Sequence, residues 1–357
     1  MLKRSVSVRL NGFKKYDGNA EQICSQIVKD CWNGRYFQVS NGHYCEFYSR
    51  DFGICVDSLL KLGYKKEVRK TLEYALNIYS KHNGIYVAIS PKGFPFNFPD
   101  VYSPDSVALF FRSLRVSSCN DLIKKYKDFL NNEVKRFYDA VLDKNTGLVK
   151  RKTHFSGMRD YFIRDSSCYD NIMVALLNDE LKKIKILDNP LEDYDCKKII
   201  KDNFWAGSYF LDDLSGSKHI TGDANVFPFW TGVFNDGNML KSTINKIRSS
   251  GLDSPFPIKY ISGKSKENTI FIEFLVPDWE KNNVWPMMGP LFIQLVKSID
   301  KEKAKEYIMS YTKIIEKYHN YLEIYTVDSK PYKSLFYCAD ESLLWAANYL
   351  TLITKTR

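Results

Sequence analysis

Apolar residues recur every three or four positions over long stretches of this chain. Between residues 65 and 82 they fall at Val68, Leu72, Ala75, Leu76 and Tyr79, one stripe of an amphipathic helix. Residues 120–143 repeat the pattern with Leu122, Ile123, Tyr126, Phe129, Leu130, Val134 and Phe137, and residues 301–323 do so with Ala304, Ile308, Tyr311, Ile315 and Tyr318. The spacing predicts about twelve helices. They span 18–32, 51–63, 65–82, 104–115, 120–143, 167–181, 190–212, 223–235, 237–250, 284–300, 301–323 and 338–354. Strand signals are few: a weak alternation at 5–13, and short runs at 86–90, 256–262 and 268–276 that suit hairpins. Strands do not alternate with helices, which disfavours a parallel α/β sheet.

The predicted helices come in pairs with a tight joint, as at 59–68 and 298–307, and a longer loop then follows. The long loops are 83–103, 144–166, 213–222, 251–283 and 324–337. Such a rhythm suits a closed all-α architecture whose long loops gather on one face. With no Ser/Gly/Pro-rich linker, residues 1–357 read as one domain.

Composition narrows the picture. The chain has 357 residues, 44% hydrophobic and 15% aromatic, too apolar for a disordered protein and ample for a large core. No apolar run approaches the roughly 20 residues that cross a bilayer. The opening MLKRSVSVRL lacks the apolar stretch of a secretory signal. The eight cysteines form no CxxC pair and the five histidines no HxxxH, so neither a thiol-based nor a His-rich metal site is expected, and buried thiols in a cytoplasm are. The net charge of +10 raises the question of nucleic acid, but the lysines are interleaved with Asp and Glu, as at 124–144 and 300–307, which reads as a solvated surface. A nucleic-acid partner would instead need a contiguous Lys/Arg face. No membrane partner is expected, and oligomeric state cannot be read from the sequence.

The chemistry sits in the loops. Residues 48–53, 94–106, 154–171, 221–232, 274–290 and 320–341 all mix Asp, Glu, Arg and Asn with Trp, Tyr and Phe. Charged groups can grip sugar hydroxyls, aromatic faces can stack on a pyranose, and a pair of carboxylates can supply acid and base for glycosidic cleavage. Each loop alone has a plainer explanation. Asp105, Asp170 and Asp223 fit helix caps, Arg50 and Asp51 fit a structural ion pair, and aromatics at loop ends often plug cores. Six such loops, each recurring after a helix pair, point to a site.

These segments, in this order, resemble the six-hairpin toroid glycosidases, namely the trehalase and processing α-glucosidase families, with mannosylglycerate hydrolase and neutral invertase as relatives. The likeness is carried by YSRDFGICVDSLLKLGY, HFSGMRDYFIRDSSCYDN, PDWEKNNVWPMMGPLFIQL and NYLEIYTVDSKPYKSLFYCADESLLWAANYL, and it covers nearly the whole chain. It implies an (α/α)6 toroid with a sugar pocket where the long loops converge, and an inverting hydrolase of a small α-glucoside or related sugar, with no cofactor. The general base falls on Glu323, in the Glu-x-Tyr motif. The general acid should follow Ser156-Gly157. The family commonly reads Glu-Ser-Gly-x-Asp, whereas this chain reads Phe155-Ser156-Gly157-Met158-Arg159-Asp160, without the leading Glu and with the Asp one residue later. Asp160 is the first candidate acid and Asp165 the second, and a noncatalytic sugar-binding relative is the alternative. For an inverting pair the two carboxyls should stand about 6.5–9.5 Å apart. Tyr48, Arg50, Asp51 and Trp285 match substrate-binding segments of the family. Trp230 and Trp279 are candidate stacking platforms, and Arg164, Tyr169 and Asn171 lie where a helix opens at the pocket.

Overall fold

A computed structural model describes residues 2–217, 219–261, 271 and 275–354. Among them are fourteen helices: α1 (Leu2–Asn11), α2 (Ala20–Asp30), α3 (Ser49–Lys61), α4 (Lys65–Lys81), α5 (Pro104–Val116), α6 (Asn120–Lys125), α7 (Lys127–Val141), α8 (Cys168–Ile184), α9 (Cys196–Phe204), α10 (Gly222–Trp230), α11 (Gly237–Ser249), α12 (Gly289–Ile299), α13 (Lys301–Tyr318) and α14 (Ala346–Ile353).

Burial sorts these helices into two layers. The helix α8 buries thirteen of its seventeen residues. The equally long α4 buries seven, all on one stripe. An all-round buried helix belongs inside and a striped one outside. Helices α3, α5, α8, α10, α12 and α14 each pack on the next, and α14 closes back on α3, giving an inner ring of six. Helices α2, α4, the α6–α7 pair, α9, α11 and α13 lie outside it. The chain therefore forms an (α/α)6 toroid. The closeness of the inner helices shows at Gly53 in α3, where an added Cβ would lie 2.6 Å from Leu109 Cβ in α5.

Short joints lead from the C-termini of inner helices to outer ones, as at residues 62–64 and at Asp300. The long loops all run the other way, from outer helices to the N-termini of inner ones, so they converge on one face. Small sheets brace this face. Strands β1 (Phe47–Tyr48), β2 (Ala88–Ile89) and β3 (Pro95–Phe96) form an antiparallel sheet with Phe47 opposite Ile89 and Ala88 opposite Phe96. Strands β4 (Leu142–Asp143) and β5 (Leu148–Val149) form a two-stranded hairpin.

Several predicted spans are corrected. The weak alternation at 5–13 belongs to helix α1, whose Ser5 and Val8 share one buried face. That face packs on the closing loop: Ser5 Oγ accepts from Cys338 N at 3.1 Å, and Arg4 pairs with Glu341. The span 120–143 breaks at Tyr126, whose φ of −106° and ψ of 22° interrupt the helix. Within 190–212 only Cys196–Phe204 is helical, because Trp205 and Phe210 bridge as a hairpin. The helix expected from 284 starts at Gly289, beside Pro290, and the one expected to reach 323 ends at His319, which turns left-handed at φ 53°. Residues 338–345 are not helical: Glu341 bridges Leu322, Ser342 is left-handed at φ 59°, Leu343 bridges Ser40, and 344–345 turn into α14. The run 86–90 contains β2, and 256–262 contributes isolated bridges at Lys259 and Ile261. Most of 268–276 lies outside the described residues.

Candidate active site

Where the long loops converge they line a partly open cavity. Tyr48, Arg50, Asp51, Asp160, Trp279, Trp285 and Glu323, all singled out from sequence, line it. So do Tyr44, Tyr260, Glu280 and Trp345. Tyr48 and Arg50 reach it because β1 hands directly into α3, which presents its first turn to the cavity. Asp51 accepts from Trp345 Nε1 at 2.8 Å, joining the first inner helix to the last.

Glu323 is 2% exposed. Tyr337 Oη donates to its Oε2 at 2.5 Å and Asp340 N at 2.8 Å. Burial, helped by the charge of Asp340, pushes its carboxyl up to about 8, against the pull of those two donors. Tyr337 has one phenolic proton, so its oxygen acts as acceptor toward Tyr44 Oη at 3.1 Å or His43 Nε2 at 3.0 Å. Asp340 is gripped in turn by Ser40 Oγ and by the backbone N–H groups of His43 at 2.9 Å and Tyr44 at 3.1 Å. That loop passes so close that a Cβ on Gly42 would collide with the Asp340 carboxylate.

In the same cavity, Asp160 Oδ1 accepts from Ser156 Oγ at 2.7 Å and Gly157 N at 2.9 Å. Its Oδ2 lies 3.5 Å from Arg50 Nη2. Burial pushes the Asp160 carboxyl up, while Arg50 pulls it down, and burial wins. Arg50 also pairs with Asp105 at 3.3 Å, so its charge is shared below the cavity floor. Glu280 accepts from the backbone N–H groups of Asp160 at 3.0 Å and Tyr161 at 2.9 Å.

The walls are aromatic. The Trp279 ring lies 5.0 Å from Tyr161, 5.1 Å from Trp285 and 5.6 Å from Tyr337. Two polar atoms in this wall, Tyr260 Oη and Trp279 Nε1, are buried without a hydrogen-bond partner among the described residues. Native proteins rarely leave such atoms unpaired, and a bound hydroxyl would satisfy them.

Four of the sequence candidates lie beside the cavity rather than in its lining. Arg164 is committed to Asp223 at 2.8 Å and Asp212 at 3.2 Å. Tyr169 Oη donates to Asp105 at 2.9 Å. Asn171 accepts from Val149 N at 3.0 Å, fixing the β4–β5 hairpin to α8. Trp230 sits beneath the Arg112 guanidinium, 5.0 Å from its ring centroid. The second candidate acid, Asp165, is held by Arg151 at 3.0 Å, which pulls its carboxyl below the ordinary range. Asp170, read as a cap residue, is capped by Ser167 at the start of α8, and burial pushes its carboxyl up to about 6.

Of the residues that sequence reasoning passed over, Glu280 directly follows Trp279, and Tyr337 and Asp340 stand in the closing segment after Glu323. Only their position in charged, aromatic loops marked them. Among the described residues no group of three or more His, Cys, Asp or Glu side chains could hold a metal ion, and no helix is long and apolar enough to cross a membrane.

No family model and no curated protein matches this sequence. Solved structures do. A glycosidase point variant in complex with glucose superposes with a TM-score of 0.69 at 9% identity, covering 98% of this chain and 96% of that one. The glycoside hydrolase family 63 mannosylglycerate hydrolase of Thermus thermophilus, in complex with Tris and D-glycerate, gives 0.66 at 9% identity, covering 94% and 100%. The rhamnosidase of Klebsiella oxytoca with rhamnose bound gives 0.63 at 9% identity, covering 95% of this chain and 64% of that longer one. The chain thus has the six-hairpin toroid fold that these glycosidases share.

Proposed function

We propose that this protein is an inverting glycoside hydrolase acting on a small α-glucoside or related sugar, with Asp160 as general acid and Glu323 as general base. The observation that carries the reading is the meeting of these two carboxyls in one aromatic-walled cavity, each held by its own donors. Asp160 protonates the leaving oxygen from its Oδ2, since Oδ1 is occupied by Ser156 and Gly157. Glu323 activates a water with Oε1, because Tyr337 and Asp340 hold Oε2. Arg50, Asp51 and the unpaired Tyr260 and Trp279 atoms bind hydroxyls, and Trp285 stacks on the ring. The solved structures of similar fold are glycosidases, which supports hydrolysis as the reaction. The cytoplasm is the proposed compartment: all eight cysteines are free thiols, seven of them buried, which suits a reducing environment.

The test is a hydrolysis screen over trehalose, kojibiose, maltose, sucrose, glucosylglycerate and mannosylglycerate, with the anomer of the released sugar followed by NMR. Hydrolysis with inversion supports the reading, and retention overturns the mechanism. One observation favours a second reading, a sugar-binding or regulatory protein on the same toroid. Arg159 stands where the resembled family carries its acid, and it is buried against Asp212 at 3.1 Å. Sugar binding seen by NMR without turnover of any substrate would select that reading.

A further inference from the structure

Glu280 has no part in the acid–base pair, yet it reaches the same cavity from the loop that carries Trp279. Its carboxylate is 2% exposed and takes two consecutive backbone N–H groups, one on each oxygen: Asp160 N at 3.0 Å and Tyr161 N at 2.9 Å. Consecutive amides converging on one carboxyl form a backbone nest, which fixes the two peptide planes on either side of the Asp160 Cα. The contact spans 120 residues of sequence and is reinforced by the Tyr161–Trp279 ring contact at 5.0 Å. The segment from Gly157 to Asp160 is also held by the Asp160 side chain, by Arg50 at Asp160 and at Gly157 O, by His154 Nε2 at Asp160 O at 2.8 Å and by Arg159 at Asp212, but among the described residues Glu280 alone takes both amides that flank the Asp160 Cα.

We propose that Glu280 is a positioning residue for the general acid: it fixes the backbone from which Asp160 projects and so holds the carboxyl aimed at the leaving oxygen. The inference rests on the reading of Asp160 as acid. Burial raises the Glu280 carboxyl, and the neighbouring Asp160 charge raises it further, as expected where two carboxyls compete for one proton; the field of Arg159 and the two amides oppose this.

The experiment measures kcat/KM for Glu280→Gln in the full chain, on whichever disaccharide the protein hydrolyses and on the corresponding glycosyl fluoride, which needs little protonation to depart. The expected result is a tenfold or greater loss on the disaccharide and a loss of threefold or less on the fluoride, because the clamp serves proton delivery to the leaving oxygen. Equal losses on both substrates would mean that Glu280 is merely structural and would overturn the proposal. If Glu280→Gln does not fold, Glu280→Asp carries the test. It keeps a carboxyl but shortens it away from the two amides, so the disaccharide-selective loss should again appear, and equal losses on both substrates again count against the proposal. Asp160→Asn is measured in parallel. If that variant cleaves the disaccharide at the parental rate, the acid assignment fails and this inference with it. If it shows the acid pattern while Glu280→Gln does not, only this inference fails.

Discussion

Tyr337 donates its phenolic proton to Glu323 Oε2 at 2.5 Å, and this bond holds one oxygen of the candidate base while the other stays open to the cavity. A hydrogen bond to a charged group contributes about 1.5–3 kcal/mol, and one pKa unit corresponds to about 1.4 kcal/mol. Removing the donor in Tyr337→Phe should therefore make Glu323 harder to ionise by about one to two units. In the parent, kcat/KM should fall as pH drops through about 8. In the variant that limb should lie one to two units higher. A limb that stays put in a pH–rate profile would remove Tyr337 from this role.

The same carboxyl sets a stability prediction. In the unfolded chain Glu323 ionises near 4.5, whereas in the fold it does so near 8. Between those values the folded state holds a proton that the unfolded state has released. Stability therefore declines as pH rises from about 4.5 to about 8 and remains at the lower level above that. Glu323→Gln cannot ionise and escapes the penalty. Urea unfolding should show little difference between variant and parent at pH 5, and a gain on the order of a few kcal/mol for the variant at pH 9. The same variant should lose turnover by about a thousandfold or more while still binding sugar. Turnover within a few-fold of the parent would dismiss Glu323 as base.

Asp160→Asn should abolish hydrolysis of substrates with poor leaving groups and recover part of the rate on a glycosyl fluoride. Asp165→Asn should resemble the parent on both, since Asp165 is turned toward Arg151. The reverse pattern would transfer the acid role to Asp165.

Trp345→Phe removes the indole N–H that satisfies Asp51, a residue 5% exposed. Leaving a buried acceptor unpaired costs about 1–3 kcal/mol. The urea midpoint should drop accordingly and KM should rise, because Asp51 faces the cavity. An unchanged KM would take Asp51 out of sugar binding.

The parts of this site that could be read from sequence are those compressed into one segment. Tyr48, Arg50 and Asp51 are consecutive with the start of an inner helix, so a single motif carried all three to the cavity. Trp279 and Trp285 bracket one loop in the same way. Glu280 could not be assigned, since its partners lie 120 residues away and its neighbours in sequence give no hint of a backbone clamp. Arg164 and Tyr169 have the right chemistry and stand on the right loop, but Asp212, Asp223 and Asp105 take up their hydrogen bonds just outside the lining. Pairing across the ring decides which charged loop residues face the cavity, and one-dimensional spacing does not report it. For the helices, periodicity located every inner member, while their ends moved wherever a proline, a left-handed residue or a bridge outcompeted the helix.

The bond between Asp51 and Trp345 joins residues 294 positions apart. Synthesis runs from the N-terminus, so Asp51 leaves the ribosome long before Trp345 exists. Until then the carboxylate of Asp51 lacks the indole that satisfies it, and no nascent chain shorter than this can present the complete cavity to a sugar. Sugar-binding competence should therefore emerge in a single step, when the last inner helix seats against the first.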